Sequence, residues 1–245
     1  MLFLVNLESA TERRAHMVRQ LEALGLAFWR VGFDGRGRCA DDIADWVRQH
    51  FPGITFAPGR LSGAEIGCWL SHMTAWRTML DTPGVLSCTV IEDDVVLDSR
   101  FGEARVRLGS PGEFDVVFLG TSSRNLSRRG HVLLGRGLQL HRPIGSVYNT
   151  WGYVIARGYC EQLFARLQLV RWPIDHVLGG KVKALKPRRA VVQPPIVRED
   201  QELGMQSQIE PYTFRFDRLR LVESARRRLL GSRIGDLYSR LHQLL

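Results

Sequence analysis

The stretch that most restricts what this chain can become is Cys-Thr-Val-Ile-Glu-Asp-Asp-Val-Val-Leu at 88–97, where Glu92, Asp93 and Asp94 stand between two apolar, β-branched runs. Ionised carboxylates beside a buried strand carry a heavy desolvation cost, and three in succession repel one another. They require a cation, a basic partner or water at a strand end. Residues 88–91 read as a strand buried on both faces, which places the acids where it stops. Ligands of open α/β sheets bind at the carboxyl ends of strands. A hard divalent cation shared with substrate phosphates is the simplest way to satisfy such a group. A solvated turn whose acids cap the next element is the plainer alternative; the flanks Val90-Ile91 and Val95-Val96-Leu97 weigh against it.

Around this stretch the pattern alternates between strands and helices. Residues 2–7 form a short apolar strand, and Ser9-Ala10-Thr11-Glu12 predicts a capping box opening a helix to Leu24, with Ala15, Val18, Leu21 and Leu24 as its stripe and Gly25 as its C-terminal cap. Arg13 and Arg14 fall in the first turn, where the helix dipole disfavours cations; they form either a solvated face or a seat for an anion. A strand at 28–31 leads into the glycine-rich turn 32–37, which lacks the G-x-G-x-x-G spacing of a dinucleotide fingerprint. A short amphipathic helix over 40–50 precedes a second capping box, Ser62-Gly63-Ala64-Glu65. That box opens a helix to Leu80 carrying Glu65, Ser71 and His72. A lone helical histidine is more often a packing residue than a catalytic one.

Beyond the acidic strand, 114–120 is a further apolar strand and 131–141 a hairpin around Gly135-Arg136-Gly137. In the strand pattern 147–156, Gly152 implies that something approaches the backbone closely. A helix over 158–169 is followed by a short one starting at 172–176, where Asp175 is either its cap or a carboxylate facing a cleft. A last short strand spans 190–192. From about residue 200 the character changes. Segment 218–245 holds seven arginines and two acids, 7 − 2 = +5 of the chain's +9, with leucines at helical spacing. A basic amphipathic helix there either docks on an anionic membrane surface or packs on the domain with a solvated face.

The net charge of +9 over 245 residues suggests an acidic partner, either nucleic acid, anionic lipid or a phosphorylated substrate. With no helix-turn-helix, zinc-ligand spacing or stacking-aromatic motif, nucleic acid is not expected. Cys39, Cys68, Cys88 and Cys160 form no C-x-x-C pair and read as small buried hydrophobes in a reducing compartment. The apolar start lacks a basic n-region and meets Asn6 and Glu8, so no signal peptide is expected. No run reaches the roughly 18 apolar residues of a membrane span. The expected location is cytoplasmic, with any membrane contact peripheral.

Taken together, residues 3–7 with Arg13-Arg14, then Leu61-Ser62-Gly63-Ala64-Glu65-Ile66-Gly67-Cys68 with Ser71-His72, then Val90-Ile91-Glu92-Asp93-Asp94, resemble glycosyltransferase family 25. These are the lipooligosaccharide biosynthesis transferases, related to the collagen galactosyltransferase domain. Thr150-Trp151-Gly152-Tyr153 and Pro173-Ile174-Asp175 are similar to the family's second half, although Trp151 stands where a small residue is expected. The resemblance covers roughly residues 1–200 and leaves the basic segment 201–245 outside it. It implies an α/β, GT-A-like, Rossmann-type mixed sheet flanked by helices, with the C-terminal basic amphipathic helix appended.

It also implies an inverting transfer of a hexose from UDP-galactose or UDP-glucose to a glycan or glycolipid acceptor of the lipooligosaccharide or lipopolysaccharide kind. Asp93 and Asp94 would hold Mn²⁺ or Mg²⁺ against the diphosphate, where a metal stabilises the leaving group's developing charge. Glu92 would point the other way along the strand. Asn6, Arg13 and Arg14 would lie near the nucleotide; Glu65, Ser71, His72, Glu92, Thr150, Gly152 and Tyr153 would complete the donor pocket. Asp175 would act as general base, with Glu199 and Asp200 as further candidates. Attachment through 218–245 to the inner membrane would present a lipid-anchored acceptor. The alternatives are a non-catalytic sugar-nucleotide-binding relative and a basic nucleic-acid-binding protein.

Overall fold

A computed structural model describes residues 1–109, 112–122, 125–127 and 132–200. The expected basic helix of 218–245, and His131 at the start of the hairpin, lie outside the described residues. The first half runs β1 (Leu2–Val5), α1 (Thr11–Ala23), β2 (Trp29–Val31), α2 (Ala40–His50), β3 (Thr55–Phe56), α3 (Gly63–Asp81), β4 (Ser87–Glu92), β5 (Val95–Leu97) and α4 (Phe101–Arg107). The second half runs β6 (Val116–Phe118), β7 (Val132–Gly135), β8 (Leu138–His141), β9 (Gly152–Ala156), α5 (Arg157–Arg166), β10 (Leu169–Val170), α6 (Ile174–Leu178), β11 (Arg189–Gln193) and β12 (Val197–Glu199).

Among the described residues, eight strands form one mixed sheet in the order β2-β1-β4-β9-β6-β11-β8-β7. β2, β1 and β4 are parallel, as are β6 and β11, while β9 runs antiparallel between β4 and β6. The α/β expectation of a Rossmann-type mixed sheet flanked by helices is therefore met. Inward residues alternate. Phe3, Val90, Tyr153, Phe118 and Val191 join a core with α2, α3, α5 and α6, whereas Leu2, Leu4, Ile91, Val117, Val154 and Val192 join a second core with α1 and α4. Both faces of β4 are covered, so its apolar run is continuous rather than alternating with polar residues.

Local chemistry explains where the two helices that frame the acid turn begin. The Ser62 hydroxyl accepts from the Glu65 backbone N–H, and the Glu65 carboxylate accepts from the Ser62 N–H at 2.8 Å, so the predicted capping box opens α3. The box expected at Ser9 and Glu12 is absent. α1 starts at Thr11 with Ala10 as N-cap and no side-chain cap. The reason is tertiary: the Asn6 amide, held at the end of β1, donates to the Ala10 carbonyl at 3.0 Å and sets the entry of the helix. Met17 and Leu21 carry the burial of α1, while Ala15 is exposed. Gly25 does adopt a positive φ of 64°, the conformation of a C-terminal cap.

The glycine-rich turn is explained by a close approach of two backbones. A Cβ on Gly35 would lie 2.1 Å from the Gly63 carbonyl oxygen, and one on Gly67 would lie 2.6 Å from that of Phe33. Only glycine lets the 32–37 loop lie against the first turns of α3. The Ser71 hydroxyl fixes that contact, accepting from the Phe33 N–H at 2.9 Å and donating to the Gly67 carbonyl.

Candidate active site

Strand register assembles the site. Val5 is opposite Glu92, so Asn6, the residue that follows β1, comes beside Asp93. Ile91 is opposite Gly152, and the Glu92 N–H donates to the Trp151 carbonyl, which brings Thr150 to Glu92. Successive side chains then diverge as a strand requires. Glu92 faces α3, accepting from the Thr150 hydroxyl at 2.5 Å with its Oε1 3.6 Å from His72 Nε2. Asp93 faces β1 and α1, accepting from the Asn6 amide at 2.7 Å and from the Arg13 guanidinium at 2.9 Å. Arg13 also stands 3.7 Å from Asp94. Of the two readings of Arg13, neither a solvated face nor a bare anion seat describes it, because its guanidinium sits against the acids.

Asp94 is the strained member. Burial, reinforced by the Glu92 and Asp93 carboxylates and opposed by Arg13, pushes it up to about 7. Its Oδ1 is buried and has no hydrogen-bond partner. Burial also raises Asp93, with Asn6 and Arg13 acting against the rise. A buried orphaned carboxylate oxygen is the condition that a cation relieves. Two adjacent carboxylates offering only oxygen donors fit Mg²⁺ or Mn²⁺, which take one or two protein carboxylates and complete their shell with water and substrate phosphate. The residues present fit that group, with Asp94 as its anchor and Asp93 beside it, still holding lone pairs beyond those given to Asn6 and Arg13.

Across the cleft, the Trp69 indole N–H donates at 2.8 Å to the Trp172 carbonyl and holds the start of α6 against α3. Pro173, rather than Asp175, is the N-cap of α6; Asp175 lies in the first turn, so the cap reading is corrected. Burial raises the Asp175 pKa, His176 and the backbone N–H groups of His176 and Asn149 oppose it, and the Glu92 carboxylate adds to the rise. The other two base candidates lie beside the acid turn on the β12 side. Glu199 is exposed on β12, and Asp200 is buried with His16 Nε2 at 3.1 Å and its backbone N–H on the Asp94 carbonyl.

Several residues expected to line a donor pocket are committed to contacts within the fold. Tyr153 is 0% exposed, its hydroxyl taken up by His72 Nδ1 and the Trp76 indole, so it does not reach a ligand. Ser71 is likewise committed to the 32–37 loop. The close approach at Gly152 is by the Val197 side chain, 3.0 Å from where a Cβ would stand. Glu65 caps α3 and is buried. His72 is 0% exposed, behind Glu92. Arg14 is partly exposed on α1. Sequence reasoning treats Cys68 as packing alone. In the structure its thiol is raised well above its ordinary value by burial and by the Glu92, Asp175, Glu65 and Asp94 carboxylates, and its sulfur lies within 4.8 Å of His72 and Glu92 ligand atoms. Its spacing of four from His72 on one helix face is visible in the sequence but does not single it out without Glu92.

The model of glycosyltransferase family 25 (LPS biosynthesis protein) matches residues 1–178. The chain belongs to glycosyltransferase family 25. Relatives within the family include a glycosyltransferase 25 family member of Drosophila pseudoobscura pseudoobscura, 29% identical over 191 residues, 72% of this chain and 29% of the relative. Procollagen galactosyltransferase 1 of Danio rerio is 26% identical over 188 residues, 72% of this chain and 30% of its own length. A human relative carries the name inactive glycosyltransferase 25 family member 3, at 26% identity over 195 residues, 72% of this chain and 31% of its own. The family 25 chain thus spans about 30% of the length of these curated relatives.

Proposed function

We propose that this family 25 protein transfers a hexose, galactose or glucose, from a UDP-sugar to a hydroxyl of a glycan or glycolipid acceptor, with inversion at the anomeric carbon. The observation that carries the reading is Asp94, a buried carboxylate with an unpartnered oxygen at the carboxyl end of β4, beside Asp93 and Arg13. The galactosyl donor is favoured by the name of the Danio rerio relative, and a lipopolysaccharide-type acceptor by the family's description.

Asp94 and Asp93 would hold Mn²⁺ or Mg²⁺, which when bound supplies Lewis-acid stabilisation of the departing diphosphate. Arg13, already seated on these acids, is placed to share the diphosphate charge. Asp175 accepts the proton of the acceptor hydroxyl as that oxygen forms its bond to the anomeric carbon and the bond to the UDP oxygen breaks. Burial of Asp175 and the nearby Glu92 both strengthen it as a base relative to a solvated carboxylate. Thr150 holds Glu92 in place, with His72 buried behind it. The basic segment 218–245 is read as a peripheral contact with the anionic inner membrane from the cytoplasmic side. Liposome co-sedimentation unchanged by its deletion would remove that part of the proposal.

UDP-galactose and UDP-glucose are assayed for turnover with Mn²⁺ and with EDTA. Asp175→Asn is expected to lower kcat by about 10²–10⁴-fold with donor binding retained, and Asp94→Asn to abolish metal-dependent turnover. Near-normal turnover of Asp175→Asn, or full activity in EDTA, refutes the corresponding role. Donor binding without turnover in the wild type would assign the protein to the non-catalytic relatives.

A further inference from the structure

A second cluster lies on the α3 side of the end of β4, turned away from Asp93. Cys68 and His72 stand four residues apart on α3 and project from one face; Glu92 reaches them from the strand. The thiol sulfur, a ring nitrogen of His72 and a Glu92 carboxylate oxygen all lie within 4.8 Å of one another. His72 Nε2 and Glu92 Oε1 are 3.6 Å apart. Tetrahedral bonds of about 2.0–2.3 Å hold one sulfur and two nitrogen or oxygen ligand atoms roughly 3.3–3.5 Å apart, so even the widest separation needs to close by no more than about 1.5 Å.

An independent observation points to a ligand here. His72 has no exposed surface, and its Nε2, directed towards Glu92, has no hydrogen-bond partner. Buried polar atoms are seldom left so. The remaining groups of the cluster are already oriented from outside. His72 Nδ1 is 2.7 Å from the Tyr153 hydroxyl, which takes the Trp76 indole N–H at 3.0 Å, and Glu92 is held by Thr150. Such outer partners fix the ring and carboxylate orientations of metal ligands.

We propose that Cys68, His72 and Glu92 bind one divalent cation of the zinc or cobalt class, with its fourth position open to the cleft. Thiolate and imidazole select borderline cations over Mn²⁺ and Mg²⁺, so this site and the oxygen-only Asp93–Asp94 pair take different ions. On binding, the sulfur–metal bond forms as the Cys68 proton leaves to solvent. Cys68 thiolate and Glu92 carboxylate then balance the two positive charges while His72 stays neutral, a closed charge count suited to so buried a place. The ion would tie α3 to the end of β4 beneath the acid turn and mask Glu92 from Asp94 and Asp175. None of this depends on sugar transfer.

The test uses the full-length protein, stripped with chelator and titrated with Co²⁺ alone. Sulfur-to-cobalt charge-transfer absorption is expected to saturate at one ion per chain. It should be lost in Cys68→Ser and kept in Cys39→Ser, whose cysteine is exposed, and in Asp94→Asn. Tyr153→Phe, which keeps the packing and removes only the hydroxyl behind His72, should weaken cobalt binding by about 10–100-fold. It carries the test should Cys68→Ser fail to fold. Absence of the band in the wild type, its survival in Cys68→Ser, or unchanged affinity in Tyr153→Phe overturns the proposal. Loss of transferase activity in Asp94→Asn with the cobalt band intact separates the two sites.

Discussion

Arg13 provides the sharpest test of how the acid turn is held. Its guanidinium lies 2.9 Å from Asp93 and 3.7 Å from Asp94, and the Arg13 and Asp93 side chains are only 12% and 11% exposed. At an effective dielectric of about 20, the shorter contact alone is worth roughly 6 kcal/mol of gross attraction, and burying the guanidinium offsets much of it. Replacing Arg13 by Met leaves Asp93 and Asp94 without their cation, a change that costs about 3 kcal/mol for a buried pair losing one partner. For a chain of 245 residues that corresponds to a fall of about 6–12 °C in Tm. Urea unfolding in EDTA of the wild type, Arg13→Met, Asp93→Asn and the double variant gives a cycle in which other contacts of Arg13 cancel. The expected coupling is about 2 kcal/mol. Mn²⁺ should then raise the midpoint of Arg13→Met more than that of the wild type, since the cation takes over the charge that Arg13 supplied. A coupling below about 0.5 kcal/mol, or equal Mn²⁺ shifts in both proteins, would refute the idea that Arg13 and a metal ion serve the same carboxylates.

Two further outcomes test the frame of the site. Gly67→Ala would put a Cβ 2.6 Å from the Phe33 carbonyl and 2.9 Å from the Gly35 nitrogen, both backbone atoms, so the 32–37 loop must move. The expected loss is about 1–3 kcal/mol, with faster amide exchange at Phe33, whose N–H is bonded to Ser71; unchanged exchange and stability would show that the loop is not clamped. Asp98 is held at about 2, chiefly by hydrogen bonds from the Arg100 side chain. Because this folded value lies below that of an unfolded aspartate, its contribution is present above about pH 4 and is lost as the pH falls towards 2. Solvent screening keeps that contribution below about 1 kcal/mol. Asp98→Asn should flatten this acid limb of the stability profile, and an unchanged limb would locate the acid sensitivity elsewhere.

What could be read from the chain alone divides according to the range of the interaction responsible. The capping box of α3 is decided by four consecutive residues, Ser62 to Glu65, and was legible for that reason. Ser9 to Glu12 has the same local signature, yet α1 begins elsewhere because Asn6 reaches Ala10 from the end of β1. The acid turn was legible as an anomaly, since no pattern of burial makes three carboxylates comfortable between apolar runs. The identity of its compensating partner was not, because Arg13 lies 80 residues away from Asp93 and its approach follows from β1 lying beside β4. Gly152 shows the same division. The strand pattern showed that something approaches it, and only the fold shows that Val197 does so from the β12 strand.

Cys68 and His72 show the same dependence on long-range contacts. Their helical spacing was visible in the sequence, but spacing four on a helix is common in ordinary packing and indicates nothing without a third group. Glu92 becomes that group only because β9 runs antiparallel beside β4 and brings Thr150 and Tyr153 to opposite ends of the Glu92–His72 contact. The sequence expectation that Glu92 and Asp93 diverge has a consequence that neither residue shows singly. One short turn carries Asp93 towards α1 and Glu92 towards the Cys68 and His72 side chains of α3. Under the two proposals above, such a strand end would separate two cations by their chemistry, an oxygen-only pair on one side and a thiol, an imidazole and a carboxylate on the other.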